Sequence, residues 1–172
     1  MPNIVAHCFY GDTAIAKCGA DGLKGIIKKN HGMFMLGCQG PDFFYFYHRL
    51  PWQNHQNNST VYSFGDILHE KHINETLKRL INGAKKEMND EDVAYVAGFL
   101  CHWALDMTCH PYIYYQTDSL EKDIGSDHQL FETAIDKGVL DLNGLKVRDY
   151  APKDLIVHPK DASRSEEHTS EL

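Results

Sequence analysis

The sequence predicts an all-α protein, a multi-helix bundle arranged around one central helix. Apolar residues recur at helical spacing in several segments, and residues typical of helix starts precede two of them. No alternation of apolar and polar residues persists long enough to predict a sheet. With 172 residues and no linker rich in Pro, Ser or Gly, the chain has the size of one well-cored domain.

The N-terminal part is expected to form short pieces of structure. Gly19, Gly22 and Gly25 interrupt it before the segment GMFMLGCQGPDFFYFYH. The consecutive aromatic residues 43–47 have two interpretations, contact with a lipid surface and packing in the core. We favour the core, because consecutive side chains cannot all face one way.

Residues 66–82, DILHEKHINETLKRLIN, have the pattern of a single amphipathic helix. An advance of about 100° per residue places one stripe of side chains on the inward face. His69 lies at the edge of this stripe, so a hydrogen-bonded histidine and a metal ligand both stay open as interpretations. The stripe contains His69, Ile73, Leu77, Leu80 and Ile81.

The central helix is predicted from about residue 92 to residue 110. Asn89 and Asp90 form a typical helix start, and Pro111 is expected to end the helix. Apolar side chains cover most of its faces, which indicates a position inside the bundle.

A shorter helix, HQLFETAIDK, is predicted after the central one. Ser126 and Gln129 resemble a capping box at its start, and Gly138 can end it. The weakly patterned sequence that follows predicts no particular element.

The central helix carries two histidines and a carboxylate at regular spacing. His102, Asp106 and His110 project from one face, because positions four residues apart drift by only about 40°. Buried without partners they would be costly, and a divalent cation would satisfy several of them at once. His128 and Glu132 repeat the spacing on the shorter helix, and facing helices with inward ligands can build a metal site.

A single histidine is more often an ordinary core or surface residue than a ligand. Five groups in two matching patterns favour the metal interpretation. Five other histidines lie in polar or loop-like segments, outside these two patterns. We therefore expect surface residues at His31, His48, His55, His72 and His158.

Composition excludes several classes of function. Seventeen basic and 24 acidic residues give a net charge of -7, so we expect no nucleic-acid partner. The start, MPNIVAHCFYGD, lacks a signal peptide, and no stretch reaches the roughly 18 apolar residues of a transmembrane helix. Five cysteines without CxxC spacing argue against a disulfide framework or a zinc ribbon. We therefore expect a cytoplasmic protein without a transmembrane segment.

The last residues, 164–172, read RSEEHTSEL, which is the in-frame translation of the start of a common sequencing-library adapter. We expect this tail to be an artefact without ordered structure and exclude it from the candidate ligands. A single domain is then expected over residues 1–163, with its natural C-terminal part missing.

The candidate ligands follow a recognisable order along the chain. His7 comes first, GCQGPD ends in Asp42, GDILHEK contains His69, and HWALDMTCH and HQLFE follow. This order resembles the zinc-dependent phospholipase C/D family, which includes secreted bacterial phospholipases C and, more remotely, P1-type nucleases. The resemblance spans His7 to Glu132 and implies a helical bundle of the phospholipase C/P1 nuclease type.

The resemblance implies two zinc sites and part of a third. The first zinc would be bound by Asp42, His69, His102 and Asp106. The second would be bound by His110, His128 and Glu132. His7 and the shared Asp106 would contribute to the third, and Asp42 would also orient or deprotonate the attacking water.

The third site departs from the family pattern. In secreted members the processed N-terminal amine helps to bind the third zinc, whereas no signal peptide precedes His7 here. We therefore expect two zinc ions, with the third site completed by another group or absent.

The implied activity is phosphodiester hydrolysis by a metal-activated water, as in a phospholipase C. Oxygen and nitrogen ligands without thiolate are typical of catalytic zinc. The expected partner is a phospholipid, reached by peripheral membrane contact, or a small soluble phosphodiester. A related zinc-dependent nuclease and a non-catalytic helical module that binds metal or a lipid headgroup stay open as alternatives.

Overall fold

The computed structural model describes residues 4–47, 52, 58–71, 73–117 and 126–146. Over these residues the chain is helical and contains no strand, which confirms the all-α prediction. The expectations for the tail and for four of the histidines lie outside the described residues; these are residues 164–172 and His48, His55, His72 and His158.

The described residues form seven α-helices. They are α1 (Ile4–Lys17), α2 (Asp21–Lys29), α3 (His31–Cys38), α4 (Asn58–Asp66), α5 (Ile73–Glu87), α6 (Asp90–Thr117) and α7 (Ser126–Leu142). A 3-10 helix, Gly40–Phe46, follows α3, and a π-helical turn, Ile67–Lys71, continues α4.

The central helix is α6, which packs against α1, α2, α3, α5 and α7. It begins where predicted, since the side-chain oxygen of Asn89 accepts a hydrogen bond of 2.9 Å from the backbone N–H of Glu91. It does not end at Pro111, as the sequence predicted, but continues to Thr117. A proline inside a helix costs about 3 kcal/mol. Ile113 is fully buried beyond the proline, and its packing offsets that cost.

The backbones of α3 and α6 touch at two glycines. A Cβ atom on Gly37 would lie 2.1 Å from the carbonyl oxygen of Tyr95, and one on Gly98 would lie 2.1 Å from that of Phe34. Only glycine permits such an approach. The contact fixes α3, and the 3-10 helix that follows it, against α6.

The apolar core lies beside this crossing, between α1, α2, α3 and α6. All five cysteines are free, as their spacing predicted, and burial raises the pKa of the Cys101 thiol to about 11. The Cys101 thiol is therefore protonated at neutral pH. The buried residues of this core cluster are Cys8, Ile27, Phe34, Met35, Cys38 and Ala94.

Three further predicted boundaries were wrong. Residues 66–82 do not form a single helix, because the π-helical turn separates α4 from α5. The shorter helix passes Gly138 and ends at Leu142, and the buried Leu140 anchors this extension. Gly22 and Gly25 lie inside α2, so glycine interrupts the N-terminal part only near Gly19.

Within the described ranges, none of the helices combines the length and apolar character needed to cross a lipid bilayer.

Candidate metal centre

Four side chains from three elements converge on one side of α6. Asp42 comes from the 3-10 helix, His69 from the π-helical turn, and His102 and Asp106 from α6. One nitrogen or oxygen atom from each lies within 4.8 Å of the others. We refer to these four residues as the first ligand group.

Asp106 is at the centre of this group and reaches in two directions. Its Oδ2 atom lies 3.1 Å from Nε2 of His102 and 4.0 Å from Nε2 of His69. Its Oδ1 atom lies 3.3 Å from Nε2 of His7 on α1. The two carboxylate oxygens therefore face different imidazoles, as expected for a bridging ligand.

Two of the imidazoles are oriented by backbone carbonyl groups. Nδ1 of His102 lies 3.2 Å from the carbonyl oxygen of Cys38, and Nδ1 of His69 lies 2.9 Å from that of Gly65. Donation of the Nδ1 proton to a carbonyl leaves the Nε2 lone pair directed at the first ligand group. Nε2 of His69 lies 2.8 Å from Oδ1 of Asp42.

His7 completes the buried surroundings of Asp106. The residue is 1% exposed, and its ring stacks on that of His102 with 4.3 Å between centroids. Its Nε2 atom also lies 3.9 Å from Oδ2 of Asp42. The structure thus brings His7 against two members of the first ligand group.

A second ligand group lies one helical turn further along α6. His110 faces His128 and Glu132 of α7, and one ligand atom from each again lies within 4.8 Å of the others. Nε2 of His128 lies 2.7 Å from Oε1 of Glu132. The ring of Tyr114 packs against both histidines, with 5.3 Å between centroids in each case.

The electrostatics keep Asp106, His110 and His128 in the form that binds metal. Burial alone would raise the pKa of the Asp106 carboxyl, but the imidazoles of His102 and His7 hold it well below its usual range. Burial lowers the pKa of His110 to about 4 and also lowers the pKa of His128. A carboxylate and neutral imidazoles are the ligating forms of these residues.

The buried polar atoms fit a metal ion. Among the described residues no hydrogen-bond partner with suitable geometry reaches Nε2 of His102 or of His110, or either carboxylate oxygen of Asp106. Buried groups left in this state are costly. The two buried carboxylates of the first ligand group also bring negative charge that one divalent cation would balance. The donor atoms are nitrogen and oxygen, as in catalytic zinc sites.

Gly40 is a part of the site that sequence reasoning missed. It has a φ of 54°, and a Cβ atom there would lie 2.2 Å from Cδ2 of His102. Glycine is therefore required both by the backbone conformation and by the imidazole that lies against it. The only sequence signal was the glycine immediately before Pro41.

Asp136 was also missed. It is buried on α7, and its carboxylate accepts hydrogen bonds from the backbone N–H groups of Val5 and Ala6 at 3.1 and 2.9 Å. A signal was present, because Asp136 follows His128 and Glu132 at the same four-residue spacing.

The aromatic run after Asp42 is only partly in the core. Phe43 is 42% exposed and Tyr47 is 37% exposed, whereas Phe44 and Tyr45 are half-buried. The expectation of core packing was therefore wrong for the two ends of the run. Helical geometry explains this, because the 3-10 turn sends successive side chains in different directions.

The sequence profile of a family described as zinc dependent phospholipase C matches residues 6–170. The chain belongs to this zinc-dependent phospholipase C family. The match covers both ligand groups, and the family name places the chain among hydrolases at family level. It also extends into residues 164–172, whose origin in an adapter stays a prediction. No curated protein and no solved structure matches the chain.

All eight residues predicted as ligands from the sequence lie in this centre. Their roles as zinc ligands, and the catalytic role of Asp42, stay predictions.

Proposed function

We propose that the chain is a zinc-dependent phosphodiester hydrolase that acts on phospholipids in the manner of a phospholipase C. The observation that carries this proposal is the pair of buried ligand groups on successive turns of α6, with Asp106 at the end of one and His110 at the start of the next. Membership of the zinc-dependent phospholipase C family supports it.

The proposal assigns one zinc to each ligand group, and residues 1–163 to one domain. When bound, zinc supplies Lewis-acid polarisation of the phosphoryl group and a nucleophilic water at neutral pH. His7 is the remaining ligand for a third ion. The first zinc would be held by Asp42, His69, His102 and Asp106, and the second by His110, His128 and Glu132.

Asp42 is the proposed proton acceptor. Its Oδ1 atom lies 2.8 Å from Nε2 of His69, and both atoms would bind the first zinc, which would fix the orientation of the carboxylate. The other oxygen, Oδ2, would accept a proton from the attacking water. The ring of Tyr45 packs against His69, and the Tyr45 hydroxyl donates a hydrogen bond of 2.7 Å to Asp66. Tyr45 therefore helps to hold the His69 ring in place.

An exposed aromatic patch beside the first ligand group supports a lipid substrate. We define this patch as Phe43, Phe44 and Phe64, of which Phe43 and Phe64 are 42% and 53% exposed. Phe44 joins the other two, with centroid distances of 4.3 and 5.5 Å. Because Phe43 follows Asp42 directly, peripheral contact of the patch with a membrane would bring a phospholipid headgroup towards the metal ligands. Five free thiols favour the cytoplasm as the compartment.

Hydrolysis by the purified full chain is the direct test. We expect zinc-dependent turnover of a chromogenic phosphodiester and of phosphatidylcholine vesicles. His102→Ala removes both activities, whereas the control His31→Ala, which removes an exposed histidine bonded to Asp12 on the far side of α1, leaves them unchanged. Asp42→Asn retains one or more zinc ions and loses most turnover.

Other outcomes would redirect the assignment. Turnover that survives His102→Ala places the chemistry elsewhere, and binding of less than one zinc per chain contradicts the metal centre. Bound zinc without hydrolysis of choline, ethanolamine or nucleotide diesters would favour the non-catalytic binding module. Phe64→Ser is expected to lower activity on vesicles and to leave the soluble diester unaffected.

A further inference from the structure

Asp136 of α7 binds the first turn of α1 from the opposite end of the described chain. Its Oδ2 atom accepts a hydrogen bond from the N–H of Val5, and its Oδ1 atom accepts one from the N–H of Ala6. Backbone N–H groups in the first turn of a helix have no partner within that helix. A carboxylate there also faces the positive end of the helix dipole.

The residue that follows these two N–H groups is His7. Unlike His69 and His102, whose Nδ1 atoms are held by carbonyl groups, His7 has no hydrogen-bond partner within the described residues at either ring nitrogen. Its ring is located by stacking on His102 and by the path of its own backbone. Whatever holds the start of α1 therefore sets where the His7 imidazole lies.

The same face of α7 carries the second ligand group. Asp136 lies one turn after Glu132 and two turns after His128, and all three side chains are buried. Asp136 therefore joins the helix of the second ligand group to the helix that places His7 against Asp106. Nε2 of His7, which follows the bonded N–H groups, lies 3.3 Å from Oδ1 of Asp106.

We propose that Asp136 is a positioning residue of the metal centre, which fixes the imidazole of His7 against Asp106 by binding the first turn of α1. It acts through the backbone of α1, by way of the N–H groups of Val5 and Ala6. The inference rests on the proposed metal centre and adds to it a residue outside both ligand groups.

The test is a double-mutant cycle between Asp136 and His7, made in the full chain. The probe is Co²⁺, whose visible absorption reports both affinity and ligand geometry. Asp136→Ala is expected to lower Co²⁺ affinity about 10- to 100-fold, as loss of an outer-shell partner typically does, and to change the absorption spectrum. In a His7→Ala background, Asp136→Ala is expected to have almost no further effect.

A control and a milder variant complete the design. Asp141→Asn, on the exposed side of the same helix where Asp141 pairs with Lys137, should leave affinity and spectrum unchanged. Asp136→Asn retains one acceptor oxygen, and a smaller shift in the same direction is expected. It keeps the test decisive if the alanine variant does not fold.

Two results would overturn the proposal. Equal losses of affinity with and without His7 would show that Asp136 stabilises the fold generally, and no loss at all would show that His7 is positioned without it. If the unaltered chain binds no Co²⁺, the metal centre itself fails and Asp136 is reduced to a cap for α1, which is a distinguishable result.

Discussion

Gly40→Ala is expected to damage the metal centre through a single added methyl group. The new Cβ atom would lie 2.2 Å from Cδ2 and 2.5 Å from Nε2 of His102, so the imidazole must move. An L-residue in the left-handed region costs about 1–2 kcal/mol. Forcing a methyl group into packed space typically adds about 1–3 kcal/mol. The free energy of unfolding should therefore fall by about 2–5 kcal/mol.

Urea unfolding of the metal-free chain measures this loss, and a zinc titration measures the effect on the first ligand group. Displacement of the His102 ring also breaks its contact with the Cys38 carbonyl, so zinc affinity should fall together with stability. The matched control is Gly83→Ala, inside α5, where an added Cβ would meet no atom within 4 Å. It should stabilise the chain by about 0.5–1 kcal/mol. If both variants unfold at the same urea concentration and bind zinc equally, the steric argument is refuted.

Further predictions concern the helix crossing, the metal and pH. Gly98→Ala should lower the free energy of unfolding by about 3 kcal/mol, the upper end of the range typical of overpacking, because its Cβ would meet the backbone of α3. An unchanged melting temperature would contradict this. Free zinc at 100 times its dissociation constant should add about 2.7 kcal/mol to the free energy of unfolding. A chelator should remove this contribution, and calorimetry with and without chelator checks it. The metal-free chain should lose stability as pH falls from about 6.5 towards 4, because burial lowers the pKa of His110 to about 4 and only the unfolded state is protonated between these values. Urea unfolding at pH 7 and pH 5 should show a smaller loss for His110→Ala, and an equal loss would contradict the assignment.

The ligand spacing was predictable because helical periodicity is a local property. Residues four apart share a helix face wherever the helix lies, so His102 and Asp106, and likewise His128 and Glu132, were placed correctly on their faces before any tertiary contact was known. The start of α6 was predictable for the same reason, since Asn89 bonds to a residue two positions away.

What the sequence did not predict depends on contacts between distant residues. The end of α6 was misplaced because the burial of Ile113 outweighs the local effect of Pro111. The π-helical turn around His69 has no sequence pattern of its own, and the residue that His69 meets there, Asp42, lies 27 positions away on another element. The role of Asp136 was hidden because its partners are backbone N–H groups, which every residue except proline possesses.

The bond between α7 and the first turn of α1 has a consequence for how the protein folds. It joins residues 131 positions apart, whereas the contacts between α3 and α6 are formed within a much shorter length of chain. Contacts of long sequence separation are slow to form, because a large loop must close before they contribute. During synthesis α1 must therefore wait for α7 to leave the ribosome. Before α7 emerges, the chain can be partly folded around Asp106, but His7 is not yet fixed by Asp136 and the second ligand group lacks His128 and Glu132.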